Sequence, residues 1–251
     1  MTDGSKSKFI YYIYDGSFEG LLTLIYKAFY RREIPDKIIK KEQLTDNLFS
    51  QNVFVKTNKN KADKVYEAIQ DKISFNSLKK VYYAFLSEVK DIELDIIKYL
   101  KLGFKVGSEI NKFLTRPEVQ RIQKISGKVG KEKHRLQGLL RFREIKNGQL
   151  YAPVEPDYNI IILLSPHFEK RLSNQNWIIH DKKRGIAVLY NSKDSVVIEE
   201  KDLEVEYPER EYFYQDLWKE FFKTISIKDR KNKKLQKQYM PVRYWKNLVE
   251  K

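Results

Sequence analysis

The spacing of apolar residues changes once along this 251-residue chain, at Gly138, and that change sets what it can fold into. Upstream, apolar side chains recur mostly at three- and four-residue intervals, the period of an amphipathic helix; downstream they alternate or come in short β-branched runs, the period of strands. The upstream part opens with one strand, Phe9 to Tyr14 (FIYYIY), a turn at Asp15-Gly16-Ser17, and a helix from about Phe18 to Arg31 with Leu21, Leu22, Ile25 and Phe29 on one face. Thr57-Asn58 can cap a helix through Ile73, Asn76 or Ser77 starts one through Ser87, and Ile92, Ile96 and Leu100 mark another to Phe104. Pro117, after Thr115 as cap, suits the first turn of a long helix reaching Leu136.

Beyond Gly138, LLRFREI alternates, Asn147-Gly148 is a hairpin turn, and LYAPVEP resumes extended chain. Asn159 to Leu172 reads as a helix, WIIHD, GIAVLY and SVVIEE as three strands, and Glu211 to Ile227 as an amphipathic helix carrying Trp218, Phe221, Phe222 and Ile225. The fold class is therefore α+β: an N-terminal strand plus helical region, then a ββαβββα antiparallel-sheet region with a closing helix and a basic tail. No repeat or Pro/Gly-rich linker separates the halves, so lobes 1–110 and 111–251 are expected in one compact body.

Composition removes several functions. With no cysteine, there is no disulfide, no Cys-ligated zinc, no iron–sulfur cluster and no thiol nucleophile, which fits a cytoplasmic location. The apolar run Phe9 to Tyr14 is far short of the ~20 residues that span a bilayer, and the polar N-terminus gives no sign of export. Aromatic residues make up 14% of the chain, which argues against long disorder.

The formal charge of +15 is confined to two stretches. Residues 112–146 hold eleven Lys or Arg against three acids, residues 226–251 hold nine against two, and the other 190 residues balance. Clustered cations call for a polyanionic partner, and nucleic acid is the commonest. In the first stretch, Arg121, Lys124, Lys128, Lys131 and Arg135 fall within about 80° of one helix face at ~100° per residue, a ladder suited to phosphates. Ile122, Ile125, Val129 and Leu136 form the neighbouring apolar seam. A third face carries Gln123, Gly127, Gly130, His134 and Gly138, and glycine inside a helix costs about 1 kcal/mol relative to alanine. Either something approaches closely there or the glycines break the helix in two.

Glu132 sits at the edge of the apolar seam and needs a partner if buried; Arg135, Arg141 or Arg171 could supply a structural ion pair. The competing reading makes Glu132 a general base with His134 as acid, supported by His167 and Arg171, although residues two apart on a helix need not converge. His134, His167 and His180 show no HxxxH or ExxH spacing, so neither a metal nor another cofactor is expected. Asp181 and Arg184 flank a turn, and Asp15 to Gly20 reads as a capped turn because it lacks a phosphate-loop pattern. In the second stretch, Lys234, Lys237 and Arg243 interleave with Tyr239, Tyr244 and Trp245, a mixture that suits a single strand if the aromatics are free and a tail anchor if they are not.

Four stretches, YDGSFEGLLTLIYKAF, KEKHRLQGLLRFRE with LYAPVEPDYNI, SPHFEKRLSNQNWIIHDKKRGIA, and LQKQYMPVRYWKNLVEK, resemble a bacterial family of uncharacterised proteins catalogued as probable DNA metabolism proteins. The resemblance implies a role in DNA modification or repair. Members are encoded beside a radical S-adenosylmethionine protein, and a related domain is fused to uracil-DNA-glycosylase-like domains; either type of protein is an implied partner. The matching motif residues are Glu132, His134, Arg135, Gly138, Arg141 and Phe142; His167, Phe168, Arg171, Trp177 and Asp181; and Gln236, Pro241, Arg243, Tyr244 and Trp245. Leu139-Leu140 stands where the family pattern is more aromatic. The sequence therefore leads to a DNA-binding accessory protein, DNA rather than RNA, whose phosphate site combines Arg121, Lys124, Lys128, Lys131, Arg135 and Arg141 with Lys234, Lys237, Arg243, Tyr244 and Trp245. The alternative is a nucleic-acid-processing enzyme using Glu132 and His134.

Overall fold

A computed structural model describes residues 9–45, 50–227 and 232–250, and its backbone divides into two compact units, 1–129 and 130–251. The division falls inside a helix rather than at the 110/111 junction read from sequence, because the first half of that helix packs into the first core.

In the first unit, β1 (Phe9–Tyr14) is the centre of a three-stranded parallel sheet, flanked by β2 (Lys37–Lys40) and β3 (Ser50–Phe54). The sequence reading had one strand here. KIIK and SQNVF are too short to show a period, and their pairing with β1 spans tens of residues. A parallel neighbour requires a crossover. Between β1 and β2 this is α1 (Phe18–Tyr30), which starts at Ser17, whose hydroxyl accepts from the Gly20 N–H at 2.9 Å. Asp15 braces that turn, accepting from the Ser17 N–H and hydroxyl and from the Thr57 hydroxyl at 2.6 Å. Burial opposes the Asp15 charge, but these hydrogen bonds hold its carboxyl below the usual range. A Cβ at Gly20 would stand 2.1 Å from Asp15 Oδ1, so only glycine fits; the segment is the capped turn expected of it.

α2 (Lys59–Lys72) is capped by Asn58 as expected, its side chain accepting from the Lys61 N–H. α3 (Phe75–Leu86) begins slightly earlier than read, capped by Ser74, while Ser77 is buried and accepts from Tyr99. α4 (Ile92–Val106) follows. Tyr12, Tyr14, Leu24, Ile25, Ile69, Ile96, Ile97 and Leu100 build the core, joined by Val119, Ile122 and Ile125 from α5 (Pro117–Leu139). Each such side chain contributes ~1.5–3 kcal/mol of burial. α5 starts at Pro117, with Arg116 rather than Thr115 in the capping position, the Arg116 carbonyl accepting from Val119 and Gln120.

The second unit holds a five-stranded sheet in the order β4 (Arg143–Glu144), β5 (Leu150–Val154), β6 (Asn176–Asp181), β7 (Ile186–Asn191), β8 (Ser195–Glu199). The predicted Asn147-Gly148 turn joins β4 to β5, with Gly148 at φ +80°, where glycine is favoured. The sheet corrects the antiparallel expectation: it is mixed, since β5 and β6 pair in parallel. α6 (Ile161–Arg171) lies between them and carries the chain back to the same end.

α7 (Glu209–Thr224) is the expected closing helix, yet among the described residues its one buried side chain is Glu211. Phe213, Leu217 and Phe221, at one-turn spacing, are exposed. The tail adds α8 (Lys233–Tyr239) and a short 3-10 helix, Val242–Asn247. Helices and strands thus combine in an α+β fold, and among the described residues no helix is long and apolar enough to cross a membrane.

Candidate functional site

α5 runs without a break through Gly127 and Gly130, so the glycines do not split it. Its seam of Ile122, Ile125, Val129 and Leu136 is buried, which fixes the helix and turns the basic stripe outward. Lys124, Lys128 and Lys131 are exposed, Arg135 is half-buried, and among the described residues none of the four forms an ion pair. Arg121 differs: it pairs with Asp95 at 2.7 Å and donates to the Lys90 carbonyl. Beside the stripe, a Cβ at Gly127 or Gly138 would meet nothing within 4 Å. No neighbouring backbone explains either glycine.

Glu132 is 2% exposed and fully engaged. Oε1 accepts from the Asp157 N–H at 2.9 Å and from the Tyr244 hydroxyl, and Oε2 from the Tyr158 N–H at 3.0 Å. The nearby cation is Arg243, 3.6 Å away and also 3.0 Å from the Asp157 carboxylate. The structural-pair reading thus holds with a partner different from Arg135, Arg141 or Arg171. Helix geometry could rank only nearby arginines, whereas Arg243 and Tyr244 come from the far end of the chain. Burial, together with the Glu132 carboxylate, pushes the Tyr244 hydroxyl well up from its usual value.

Residues 155–158 are gripped from the other side too. Asp181, fully buried, accepts from the Lys183 and Arg184 N–H groups and from Arg184 Nη1 at 2.9 Å. Arg184 also donates to the Pro156 and Asp157 carbonyls. Lys246 pairs with Glu155. The Asp157 and Tyr158 N–H groups and the Pro156 and Asp157 carbonyls are therefore bonded by Glu132 and Arg184, while Arg243 and Lys246 pair with the Asp157 and Glu155 side chains, a structural staple drawn from three separate segments.

The structure does not bring the three histidines together. His134 is exposed on α5, on a different face from buried Glu132. His167 is half-buried with its ring edge-on to Phe168, and His180 is buried, its Nε2 donating to the Glu200 carbonyl, which leaves Nδ1 to accept from Tyr151. Among the described residues no group of His, Asp and Glu could hold a metal.

The C-terminal candidates divide into two kinds. Lys234 and Lys237 are exposed on α8, as is Tyr239. Tyr244 is buried and Arg243 lies over its ring at 4.5 Å, so both are committed to the Glu132 staple. Trp245 donates to the Met240 carbonyl. Arg141 is likewise committed: it makes a two-pronged pair with Glu250 and sits 5.7 Å from the Trp218 ring, while Trp218 Nε1 donates to the same carboxylate at 3.2 Å. Burial opposes the Glu250 charge, but Arg141 holds its carboxyl low. Lys228, Arg230, Lys231 and Lys251 of the second basic stretch lie outside the described residues.

Sequence reasoning missed a cavity of about 640 Å³ in the second unit, walled by Phe142, Phe168, Tyr214 and Trp218 and reached by Gly138 and Arg171. Gly138, Arg141 and Phe142 stand in one of the family-like stretches and Phe168 and Arg171 in another, which is the signal the sequence held for it.

No curated protein matches the chain. Residues 90–250, covering all of α4 and α5 and nearly all of the second unit, match the family model of DUF4130, a domain of unknown function, and the chain belongs to that family.

Proposed function

We propose that this protein is a DNA-binding accessory protein of bacterial DNA modification or repair, which holds phosphates along α5. The observation that carries the reading is the set Lys124, Lys128, Lys131 and Arg135: four cations on one face of a fixed helix, without ion pairs among the described residues. A cation that is not neutralised internally can release counterions from a phosphate backbone; one that is, such as Arg121 or Arg141, contributes little. The flank at Gly127 and Gly138 is open, so a strand can approach the helix surface. Lys234 and Lys237 extend the basic character of the second unit, whereas Arg243 and Tyr244 serve as the anchor that ties the tail to α5.

The acid–base alternative lacks comparable support. Glu132 already accepts three hydrogen bonds and His134 points elsewhere. Partnership with a radical S-adenosylmethionine protein or a uracil-DNA-glycosylase-like protein rests on the sequence resemblance, and co-purification from cells tests it. Binding of single- and double-stranded DNA measured across a salt series tests the phosphate reading: affinity should fall steeply with salt, and absence of binding at low salt rejects it.

A further inference from the structure

We propose that the cavity at the C-terminal end of α5 receives an unstacked nucleobase from a strand whose phosphates lie along that helix. The inference rests on the phosphate-binding reading above and adds what the strand offers besides its backbone.

The cavity, about 640 Å³, is within the range of small-ligand sites. Its walls suit a flat, neutral, heteroaromatic group. Phe142 is held edge-on against Phe168 at 5.1 Å and Trp177 at 6.3 Å, so that wall is rigid. Trp218 is held by its bond to Glu250, by Arg141 5.7 Å from its ring and by the tilted Phe221 ring at 5.8 Å, and it lines the cavity as a flat aromatic wall. Two amides supply edge recognition. Gln215 donates to Glu211 and keeps its carbonyl oxygen available, and Gln137, on the last turn of α5, makes no hydrogen bond among the described residues. An amide offers a donor and an acceptor side by side, as a base edge does.

The charges sort ligand parts in the same way. Glu144 and Glu211 line the cavity, the first paired with Arg210 and the second accepting from the Glu144 N–H and Gln215. The Glu211 carboxylate, bonded by neutral N–H groups, disfavours a phosphate inside. Outside, Arg135 precedes Gly138 by three residues and Lys131 by seven, about 4.5 and 10 Å along the axis, and Arg135 is about 60° round from Gly138. A base could enter while the phosphates beside it stay on the cations. Arg171, exposed at the rim and without an ion pair among the described residues, offers a further phosphate contact.

Gly138 links the two parts. Its φ is not in the left-handed region and a Cβ there would meet nothing, so neither backbone nor packing requires glycine. It lines the cavity, and a side chain at this position would project into the space a ligand would use.

The test compares an oligothymidylate with a base-free deoxyribose-phosphate oligomer of equal length, following anisotropy and tryptophan fluorescence. The wild-type protein should bind the thymidylate roughly 5- to 150-fold more tightly, the range expected for one to several kcal/mol of stacking, with quenching by that oligomer alone. Trp218→Leu, on an exposed helix, should abolish the difference while leaving affinity for the base-free oligomer and its salt dependence intact; Gly138→Leu should abolish the difference as well. Equal, salt-dependent affinities in the wild-type protein overturn the base pocket and leave the phosphate reading standing. Failure of both oligomers to bind overturns both, and discrimination surviving in both variants overturns this inference.

Discussion

The Tyr244 hydroxyl donates to the Glu132 carboxylate across 112 residues of sequence, joining the tail to the middle of the basic helix. That bond, with the two N–H groups of Asp157 and Tyr158, makes Glu132 the point at which three segments meet. Glu132→Gln would replace one carboxylate oxygen by an amide donor facing a backbone N–H and remove the buried charge, and should destabilise the second unit by about 3 kcal/mol. Tyr244→Phe should cost about 1–2 kcal/mol, and the double variant less than the sum, as expected for partners in one network. Denaturant titration of the four proteins measures this; additive losses contradict it.

The glycines should part company. Gly20→Ala brings a Cβ against the Asp15 carboxylate and should destabilise by about 1–3 kcal/mol in spite of better helix propensity. Gly127→Ala should instead stabilise by up to about 1 kcal/mol, since it fills open space in an unbroken helix. Thermal melts read both signs, and a loss of stability in Gly127→Ala would reveal a packing role.

That contrast also shows what the sequence could and could not convey. The Asn58 cap, Pro117 at the start of α5 and the Asn147-Gly148 hairpin are local signals, and each appears where its chemistry puts it. The parallel pairings of β1 with β2 and β3, and of β5 with β6, leave no local trace, because parallel register is set by chain segments many residues apart. The candidate site divides along the same line. The shared face of Lys124, Lys128, Lys131 and Arg135 on α5 follows from the helical period, whereas the pairing of Arg121 with Asp95 does not. Nor does the neutralisation of Arg141 and Arg243 by Glu250 and Asp157, since no spacing rule links residues 86 to 109 positions apart. The α7 stripe reads as a core face, yet Trp218, Phe221 and Ile225 are exposed and Phe222 is half-buried.

Alkaline pH should weaken the second unit through Tyr151. Burial, with the Tyr207 phenol nearby, pushes its hydroxyl from the model-compound value of 10.0 up to about 12. A group whose folded value is raised contributes stability that is intact below the unfolded value and lost as pH rises toward the folded one. Stability should therefore decline between about pH 10 and 12, and Tyr151→Phe should flatten that part of the profile. An unchanged slope in the variant would assign the decline to other groups.

Arg141→Ala separates structural from binding cations. The Glu250 side chain is fully buried, so removing its partner should cost about 3 kcal/mol and lower the melting temperature. The salt slope of DNA binding, measured below the melt, should stay as in the wild-type protein.

The most direct measurement is the salt dependence of single-stranded DNA binding by Lys124→Ala/Lys128→Ala/Lys131→Ala. Each lost phosphate contact removes about 0.7 from the log–log slope on a single strand, so the triple variant should be shallower by about 2. A folded triple variant with the wild-type slope would contradict a phosphate-binding α5.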